Sequence, residues 1–365
     1  MTKMYLLLSF WCSFVSAQEQ KNPCTFNHSK RTYFCSGITD QFPTMFYGAF
    51  NVKCTDCLIP VFRAGTFPTQ SDVPSFNLTK SGIQNITTDA FTLLPKLNYL
   101  YLQHNMIFSI EPDAFATLQQ LYELNLEHNQ LGRLTSGIFN GINAVSVMLN
   151  HNYLKDIPEN AFEGVKGIMA LNISFNQIGI LHMNSFKGLK NTEILDLQHN
   201  HICYIPLGLF QHLQVLKDLN LKGNRLRACV PGTFSGLKSL LSINLANNDF
   251  SEFDPSVMLP MGKISNLDIS RNNLYYLDAH SVRMNAPTLR TLIINDNLWS
   301  CSILTNLIQY FKSVNIDTTS MDVGRYDVTN INGVVCSIGS INYAMQFEKY
   351  LELVKINTTS SVNYC

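Results

Sequence analysis

The sequence has little charge and no excess of either sign. Only 14% of its residues are charged, and 26 basic residues balance 26 acidic ones. It also lacks a run of about 18 apolar residues after its start, and it lacks Gly-x-Ser-x-Gly, His-Glu-x-x-His and a phosphate-binding glycine loop. These absences argue against a nucleic-acid partner, a membrane span and an enzyme.

What the chain does contain is one asparagine that recurs at a nearly constant spacing. Successive members are 23, 24 or 25 residues apart, and aliphatic side chains stand three and five positions before almost every one. The asparagines are Asn105, Asn129, Asn152, Asn176, Asn200, Asn224, Asn248, Asn272 and Asn297. A fixed period of this length predicts a solenoid of stacked units.

The residues of one unit indicate its structure. Two leucines that are two positions apart face the same side of a short strand, so each strand is predicted to be half-buried. The asparagine stands where the chain turns out of the strand, and its amide can satisfy backbone groups there. A phenylalanine follows ten residues later in most units, which predicts a second buried column behind the strands: Phe91, Phe115, Phe139, Phe162, Phe186, Phe210 and Phe234.

The pattern Leu-x-x-Leu-x-Leu-x-x-Asn-x-Leu resembles extracellular leucine-rich-repeat proteins of the 24-residue type, as in Toll-like receptor ectodomains. The resemblance implies an α/β solenoid: a curved horseshoe with parallel β-strands on its concave face and about ten repeats across residues 73–300. Departures are local: Ser81 takes the asparagine place, Ala144 and Thr192 replace a leucine, and Met258 and Val282 replace the phenylalanine. No cofactor is expected for such a fold.

The two ends break the period. Residues 1–17 resemble a secretory signal peptide, with Lys3, an apolar run to Val15, and Ala17 before the cleavage point. Residues 18–72 are predicted to cap the solenoid, because its open end would expose an apolar cross-section. The protein is therefore expected to be secreted and extracellular.

The cap contains Cys24, Cys35, Cys54 and Cys57, which allow three disulfide connectivities. Cys24 and Cys35 flank a polar turn, which predicts a hairpin that one disulfide could close. For Cys54 and Cys57 we expect a local or cross-linking disulfide rather than a zinc or redox site, since the chain is taken as secreted and has no second such pair nearby.

The C-terminal part is similar to the C-terminal cap of the same family. That resemblance implies a cap at residues 301–356 with a disulfide between Cys301 and Cys336, and a helix is predicted from Ile303, Leu304, Leu307, Ile308 and Phe311. A second amphipathic helix is predicted from Ile341, Met345, Leu351 and Val354. Residues 357–365 form a tail that ends in Cys365, which could bridge to a second chain as a disulfide-linked dimer or pair with Cys203 or the cap.

Two further cysteines lie within the repeats. Removing Cys12 with the signal peptide leaves nine cysteines, an odd number. Cys229 takes an inward aliphatic position and is expected to be a core residue, with a free, inert thiol as one outcome. A disulfide from Cys203 to Cys229 is the alternative, provided that the side-chain directions allow it.

The outward strand positions form the concave surface, where this architecture binds its ligands. They carry Tyr99, Tyr101, Tyr122, Glu123 and Glu127 toward the N-terminus, and Asp268, Arg271, Arg290 and Asp296 toward the C-terminus. Aromatic and arginine side chains are common anchors for protein ligands. An ordinary solvated face is the alternative interpretation.

Five sequons mark expected glycosylation sites: Asn27, Asn77, Asn85, Asn172 and Asn357. Asn77 and Asn172 point into the concavity. If both carry glycans, a protein partner is expected on the flank or toward one end of the arc. A glycopeptide map with both sites empty would remove this argument.

Histidines recur directly before the repeat asparagine, as His104, His128, His151 and His199. Strands lie about 4.8 Å apart, so the rings are predicted to form a row whose outer members are too distant to converge on one metal ion. No metal site is expected. The remaining interpretations are a position that merely tolerates histidine and a pH sensor that includes His104, His128 and His151 in partner binding.

The sequence therefore predicts a secreted module that recognises another protein. Its organisation is similar to that of the secreted leucine-rich immune proteins of insects, which implies a role in innate immunity through complement-like effectors, although the long C-terminal coiled coil of those proteins is missing here. The alternative is an adhesion, matrix or neuronal guidance protein of the same architecture.

Overall fold

The computed structural model describes residues 22–44, 46, 48, 50–318 and 329–337. Several predictions fall outside the described residues: the signal peptide at 1–17, the second C-terminal helix, the sequon at Asn357 and the tail cysteine Cys365.

One sheet of 13 strands runs through the molecule in chain order. All neighbouring strands are parallel except the first pair, which forms an antiparallel hairpin. The strands are Cys24–Asn27, Thr32–Ser36, Asn51–Thr55, Ser75–Asn77, Tyr99–Tyr101, Leu121–Asn125, Asn143–Met148, Gly167–Asn172, Ile194–Asp196, Asp218–Asn220, Ser242–Asn244, Asn266–Asp268 and Thr291–Ile293. The predicted solenoid is confirmed.

The register aligns equivalent residues of successive repeats. Leu100 pairs with Leu124, and Leu195 pairs with Leu219. These inward leucines are at most 2% exposed, whereas the residues on either side of them in the strand face the concave surface. Alternation along a half-buried strand therefore sets which side chains can meet a ligand.

The recurring asparagines form a hydrogen-bonded ladder, as predicted. The Asn129 Nδ2 atom donates to the Leu102 and Leu126 carbonyl oxygens at 3.0 Å, and its Oδ1 atom accepts from the Ile107 N–H at 3.0 Å. The same three contacts recur at Asn152, Asn176 and later members. Each amide thus joins two adjacent turns of the solenoid.

The predicted phenylalanine column is also present. From Phe91 to Phe234 every member is fully buried, and neighbouring ring centroids lie 5.5–6.5 Å apart. Short elements complete the back of the solenoid: the strands Val61–Phe62, Asn85–Ile86, Ser109–Ile110, Asp156–Ile157 and Ile180–Leu181, the 3-10 helix Pro255–Met258 and the helix Ala279–Asn285.

The N-terminal segment extends the sheet rather than only covering its end. The predicted hairpin is confirmed, with a disulfide between Cys24 and Cys35. Asn51–Thr55 then pairs in parallel with Ser75–Asn77, so the regular stacking continues into this segment. A second disulfide joins Cys54 to Cys57, which selects the local pairing among the connectivities left open.

The C-terminal end is closed by the helix Cys301–Ser313, whose buried face includes Leu304, Leu307, Ile308 and Phe311 as predicted. The Ser300 side chain caps the helix by accepting from the Ile303 N–H. The implied disulfide from Cys301 to Cys336 is present. A short antiparallel pair, Asn330–Ile331 with Val334–Val335, lies beside the helix.

The alternative disulfide between Cys203 and Cys229 is wrong. Cys203 is disulfide-bonded, whereas Cys229 is a free thiol that packs against the core. Burial raises the pKa of the Cys229 thiol to about 12. Cys229 is therefore an inert, unpaired thiol among the described residues.

Candidate functional site

Three tyrosines pack side by side on the concave sheet near its N-terminal end. The Tyr99 and Tyr101 rings belong to one strand and their centroids are 6.1 Å apart, and the Tyr122 ring of the next strand lies 5.5 Å from Tyr99. Tyr122 is 54% exposed. We refer to Tyr99, Tyr101 and Tyr122 as the tyrosine cluster, which presents aromatic faces and hydroxyl groups to solvent.

A carboxylate adjoins this cluster. Glu123 is the register partner of Tyr99 on the neighbouring strand. Burial raises the pKa of the Tyr101 hydroxyl, and the negative charge of Glu123 raises it further. The Tyr101 hydroxyl therefore stays protonated as a hydrogen-bond donor beside a negative charge.

Apolar side chains continue the concave face beyond the tyrosine cluster. Met169 is 44% exposed, and Ile194, which pairs with Ala170, is 48% exposed. The first charge pair farther along is Lys217 with Glu193, at 2.8 Å. The strands Asn143–Met148 and Gly167–Asn172 contain no charged residue, so they offer an uncharged contact area next to the tyrosines.

The predicted arginines lie far from the tyrosine cluster. Arg271 follows the strand Asn266–Asp268, six strands beyond Leu121–Asn125 in the sheet order, which is a distance of roughly 29 Å at the usual strand spacing. Arg271 contacts Asp296 at 3.3 Å, and Arg290 is exposed on the next turn. The two predicted groups therefore form separate patches of one surface.

The row of histidines at the edge of the sheet is a continuous stack of rings. The centroids of His104, His128 and His151 are 4.6 and 4.3 Å apart, with planes within 12° of parallel. Phe175 and His199 extend the stack at 4.6 Å each. We refer to these five residues as the aromatic ladder. Phe175 was not predicted to belong to this row, although it stands directly before Asn176 just as the histidines precede their asparagines.

A left-handed backbone conformation produces this stack. The residue directly before each recurring asparagine has a φ between 51° and 69°, and these residues include His104, His128, His151 and Phe175. At Gly223, where φ is +69°, an added Cβ would lie 2.6 Å from the His199 Nδ1 atom. The aromatic ladder therefore ends where a glycine leaves room for its last ring.

One carboxylate lies against the aromatic ladder. The Glu127 Oε1 atom is 3.5 Å from the His128 Nε2 atom and accepts a hydrogen bond of 2.8 Å from the Asn150 amide. The donor atoms of Glu127, His128 and His151 all lie within 4.8 Å of one another. Burial lowers the pKa of His151 and the His128 ring lowers it further, whereas Glu127 acts in the opposite direction.

A column of asparagine and aspartate side chains on the concave face was also not predicted from the sequence. The side-chain Oδ1 atom of each member accepts from the backbone N–H two residues later, as Asn125 does from Glu127 at 3.0 Å. The members are Asn77, Asn125, Asn172, Asp196, Asn220, Asn244 and Asp268. These residues recur in the sequence between the last two aliphatic positions of each strand, and this recurrence could have predicted the column.

Two predicted glycosylation sites belong to this column. Asn77 and Asn172 each use Oδ1 in the turn, while a glycan would attach to Nδ2. Asn77 lies on the strand next to Tyr99–Tyr101, and Asn172 lies two strands beyond Leu121–Asn125. The tyrosine cluster is thus placed between the two sequons.

Comparison with known families decides the classification. Models of the leucine-rich repeat match residues 73–131, 142–202, 204–250 and 214–274, which together cover about half of the chain. The protein belongs to the leucine-rich-repeat family. No catalytic family is indicated, and leucine-rich-repeat folds are typically binding modules.

A solved structure entitled "Crystal structure of TLR13-ssRNA13 complex" is similar to this leucine-rich-repeat chain, with 21% sequence identity and a TM-score of 0.50. The match covers 72% of this chain and 48% of the other, so this chain spans about half of that protein's length. At this identity the likeness concerns the fold. No curated protein sequence matches the chain.

The setting of the repeats fits an extracellular protein. Disulfides lie near both ends of the described solenoid, and such bonds are typical of oxidising compartments. Among the described residues, no helix has the length and apolarity to cross a membrane.

Proposed function

We propose that this leucine-rich-repeat protein binds another protein through its concave face, with the tyrosine cluster as the anchor. The observation that carries the proposal is the cluster itself, in which two rings of one strand lie 6.1 Å apart and a ring of the next strand lies 5.5 Å from one of them. Tyrosine is common at binding hot spots because its ring buries a large area while its hydroxyl keeps a hydrogen bond.

The spread of the other predicted contact residues supports a macromolecular partner. Arg271 and Arg290 lie roughly 29 and 34 Å from the tyrosine cluster, which is within the reach of a protein interface of about 800 Å² per partner but beyond that of a small ligand. Glu123, Glu127 and the edge residues His104, His128 and His151 border the same face. Together they would supply the polar rim around an aromatic centre.

Glycosylation of Asn77 and Asn172 would direct the partner. Glycans at both sites would flank the strands that carry the tyrosine cluster and cover part of the arc's middle. A partner would then bind on the flank of the arc or toward one end of it. Asn27, Asn85 and Asn357 are proposed as further glycosylation sites.

We further propose that the protein is secreted through its signal peptide and acts in insect-type innate immunity. The support is its resemblance in repeats and caps to secreted leucine-rich immune proteins. A disulfide-linked dimer through Cys365 belongs to this proposal. An intact mass that halves on reduction, together with a monomer mass for the variant Cys365→Ser, would support the dimer. The alternative role is in adhesion, matrix or neuronal guidance. Secretion induced by microbial challenge favours the first role, and steady retention on cells of one tissue favours the second.

The binding proposal is tested by affinity capture with matched variants. Tagged wild-type protein, Tyr99→Ser with Tyr122→Ser, and Tyr153→Ser are incubated with extracellular fluid from the source tissue. Tyr153 is a matched control because it is 54% exposed, as Tyr122 is, but lies outside the concave sheet. A protein bound by wild type and Tyr153→Ser, and lost from the double variant, is the expected result.

A partner that the double variant retains would contradict the concave anchor. A short single-stranded RNA serves as a second probe, because the similar solved structure is named for such a complex. Tight RNA binding that weakens steeply with salt, with no protein captured, would overturn the proposal of a protein ligand.

A further inference from the structure

We propose that Glu127, His128 and His151 bind one divalent transition-metal ion at the edge of the concave sheet. Their donor atoms all lie within 4.8 Å of one another. Two imidazole nitrogens and one carboxylate oxygen form a donor set that suits Zn²⁺, Ni²⁺ or Cu²⁺. This inference does not depend on the proposed protein partner, because the site lies within a single chain.

The carboxylate supplies what a row of histidines lacks. The outer rings of three stacked histidines are two strand spacings apart, or about 10 Å, and cannot share one ion. Glu127 is the sequence neighbour of His128 and lies 3.5 Å from its Nε2 atom, so the third donor comes from beside the stack rather than from its far end. Only two adjacent repeats are then needed.

The required movement is small. Donor atoms in a tetrahedral zinc site are about 3.3 Å apart, given bond lengths of about 2.0–2.1 Å. The three atoms must therefore approach by no more than about 1.5 Å, which side-chain torsions can provide. The stacked rings have nearly parallel planes, so each ring must turn its nitrogen toward the ion, and the exposed position of His128 leaves room for this.

Neighbouring groups orient the donors. The Asn150 amide holds the Glu127 carboxylate through a bond of 2.8 Å to Oε1, as outer-shell partners do around metal ligands. His104 stacks on His128 at 4.6 Å, and Phe175 stacks on His151 at 4.6 Å. These rings bound the site on both sides along the aromatic ladder, and the fourth coordination position would be taken by water.

The test uses untagged full-length protein, treated with chelator and dialysed against Zn²⁺, Ni²⁺ or Cu²⁺ alone, with bound metal measured by elemental mass spectrometry. We expect one equivalent of metal per chain. His151→Gln and Glu127→Gln should each weaken the affinity at least about tenfold. His199→Gln is the matched control, because it belongs to the same aromatic ladder with the same backbone conformation but lies outside the group of three.

A circular dichroism spectrum confirms that each variant is folded, and bound Cu²⁺ should show coupling to two imidazole nitrogens in electron paramagnetic resonance. Binding of less than one equivalent by the wild type with all three ions would overturn the proposal. So would unchanged affinity in His151→Gln, or an equal loss in His199→Gln, since either result would place the metal elsewhere.

Discussion

Replacing Asn152 with alanine tests whether the asparagine ladder holds the solenoid together. Asn152 is 4% exposed, and its Oδ1 atom is the acceptor for the Leu131 N–H at 3.0 Å. Its Nδ2 atom donates to the Leu126 and Leu149 carbonyl oxygens at 3.0 Å. Alanine removes all of these contacts without disturbing the core side chains.

The expected loss of stability depends on which hydrogen bonds the backbone groups keep in the variant. The Leu126 and Leu149 carbonyls keep a second donor, from Asn129 and Asn176 respectively, so they are not left bare. The Leu131 N–H loses its acceptor in a buried position, which costs about 1–3 kcal/mol, and the lost bonds to the carbonyls add about 1 kcal/mol. We expect the free energy of unfolding to fall by about 2–4 kcal/mol.

Urea unfolding followed by circular dichroism measures this loss, with the transition midpoint compared at equal slope. Asn220→Ala is the matched control. The Asn220 Oδ1 atom also accepts from a backbone N–H, that of Lys222 at 3.2 Å, but the side chain is half-buried and water can replace it. Its expected cost is about 1 kcal/mol or less. If Asn152→Ala costs no more than Asn220→Ala, the ladder does not stabilise the repeats in the way argued.

Two further predictions concern ionisable groups that are partly buried. Burial raises the pKa of Asp196, so the folded state loses stability as pH rises through that pKa. The variant Asp196→Asn keeps the hydrogen bond from the Gln198 N–H and should be at least as stable as the wild type at neutral pH. Any gain in its stability over the wild type should vanish below pH 3.8, the ordinary pKa of an aspartate. Urea titrations at both pH values measure it, and a variant that is less stable at neutral pH would contradict the sign. Because the pKa of the Cys229 thiol is about 12, iodoacetamide at neutral pH should label the Cys229 peptide only after unfolding. Rapid labelling of the native protein, read by peptide mass mapping, would show that the thiol is accessible.

The periodic features of this protein could be predicted from the sequence. The strands, the asparagine ladder and the column from Phe91 to Phe234 each repeat about every 24 residues, and a stacked repeat converts equal spacing in the chain into adjacency in space. The hairpin at Cys24 and Cys35 is local, so its turn residues were sufficient. Where the period breaks, as at Cys54 and Cys57, the sequence left several pairings open because nothing in the spacing selects among them.

The candidate site depended on tertiary structure. The sequence placed His128 and His151 in neighbouring repeats and showed Glu127 beside one of them. Only the stacking of two turns, with a left-handed backbone at both histidines, sets the 4.3 Å between their rings and brings the Glu127 carboxylate within reach of both. Likewise, the position of each tyrosine in the repeat pattern predicted which tyrosines face the concavity. The spacing of adjacent strands determined that the Tyr99 and Tyr122 rings lie in contact. Periodicity determines which residues become neighbours, and the backbone conformation at each turn determines how far apart their side chains are and where they point.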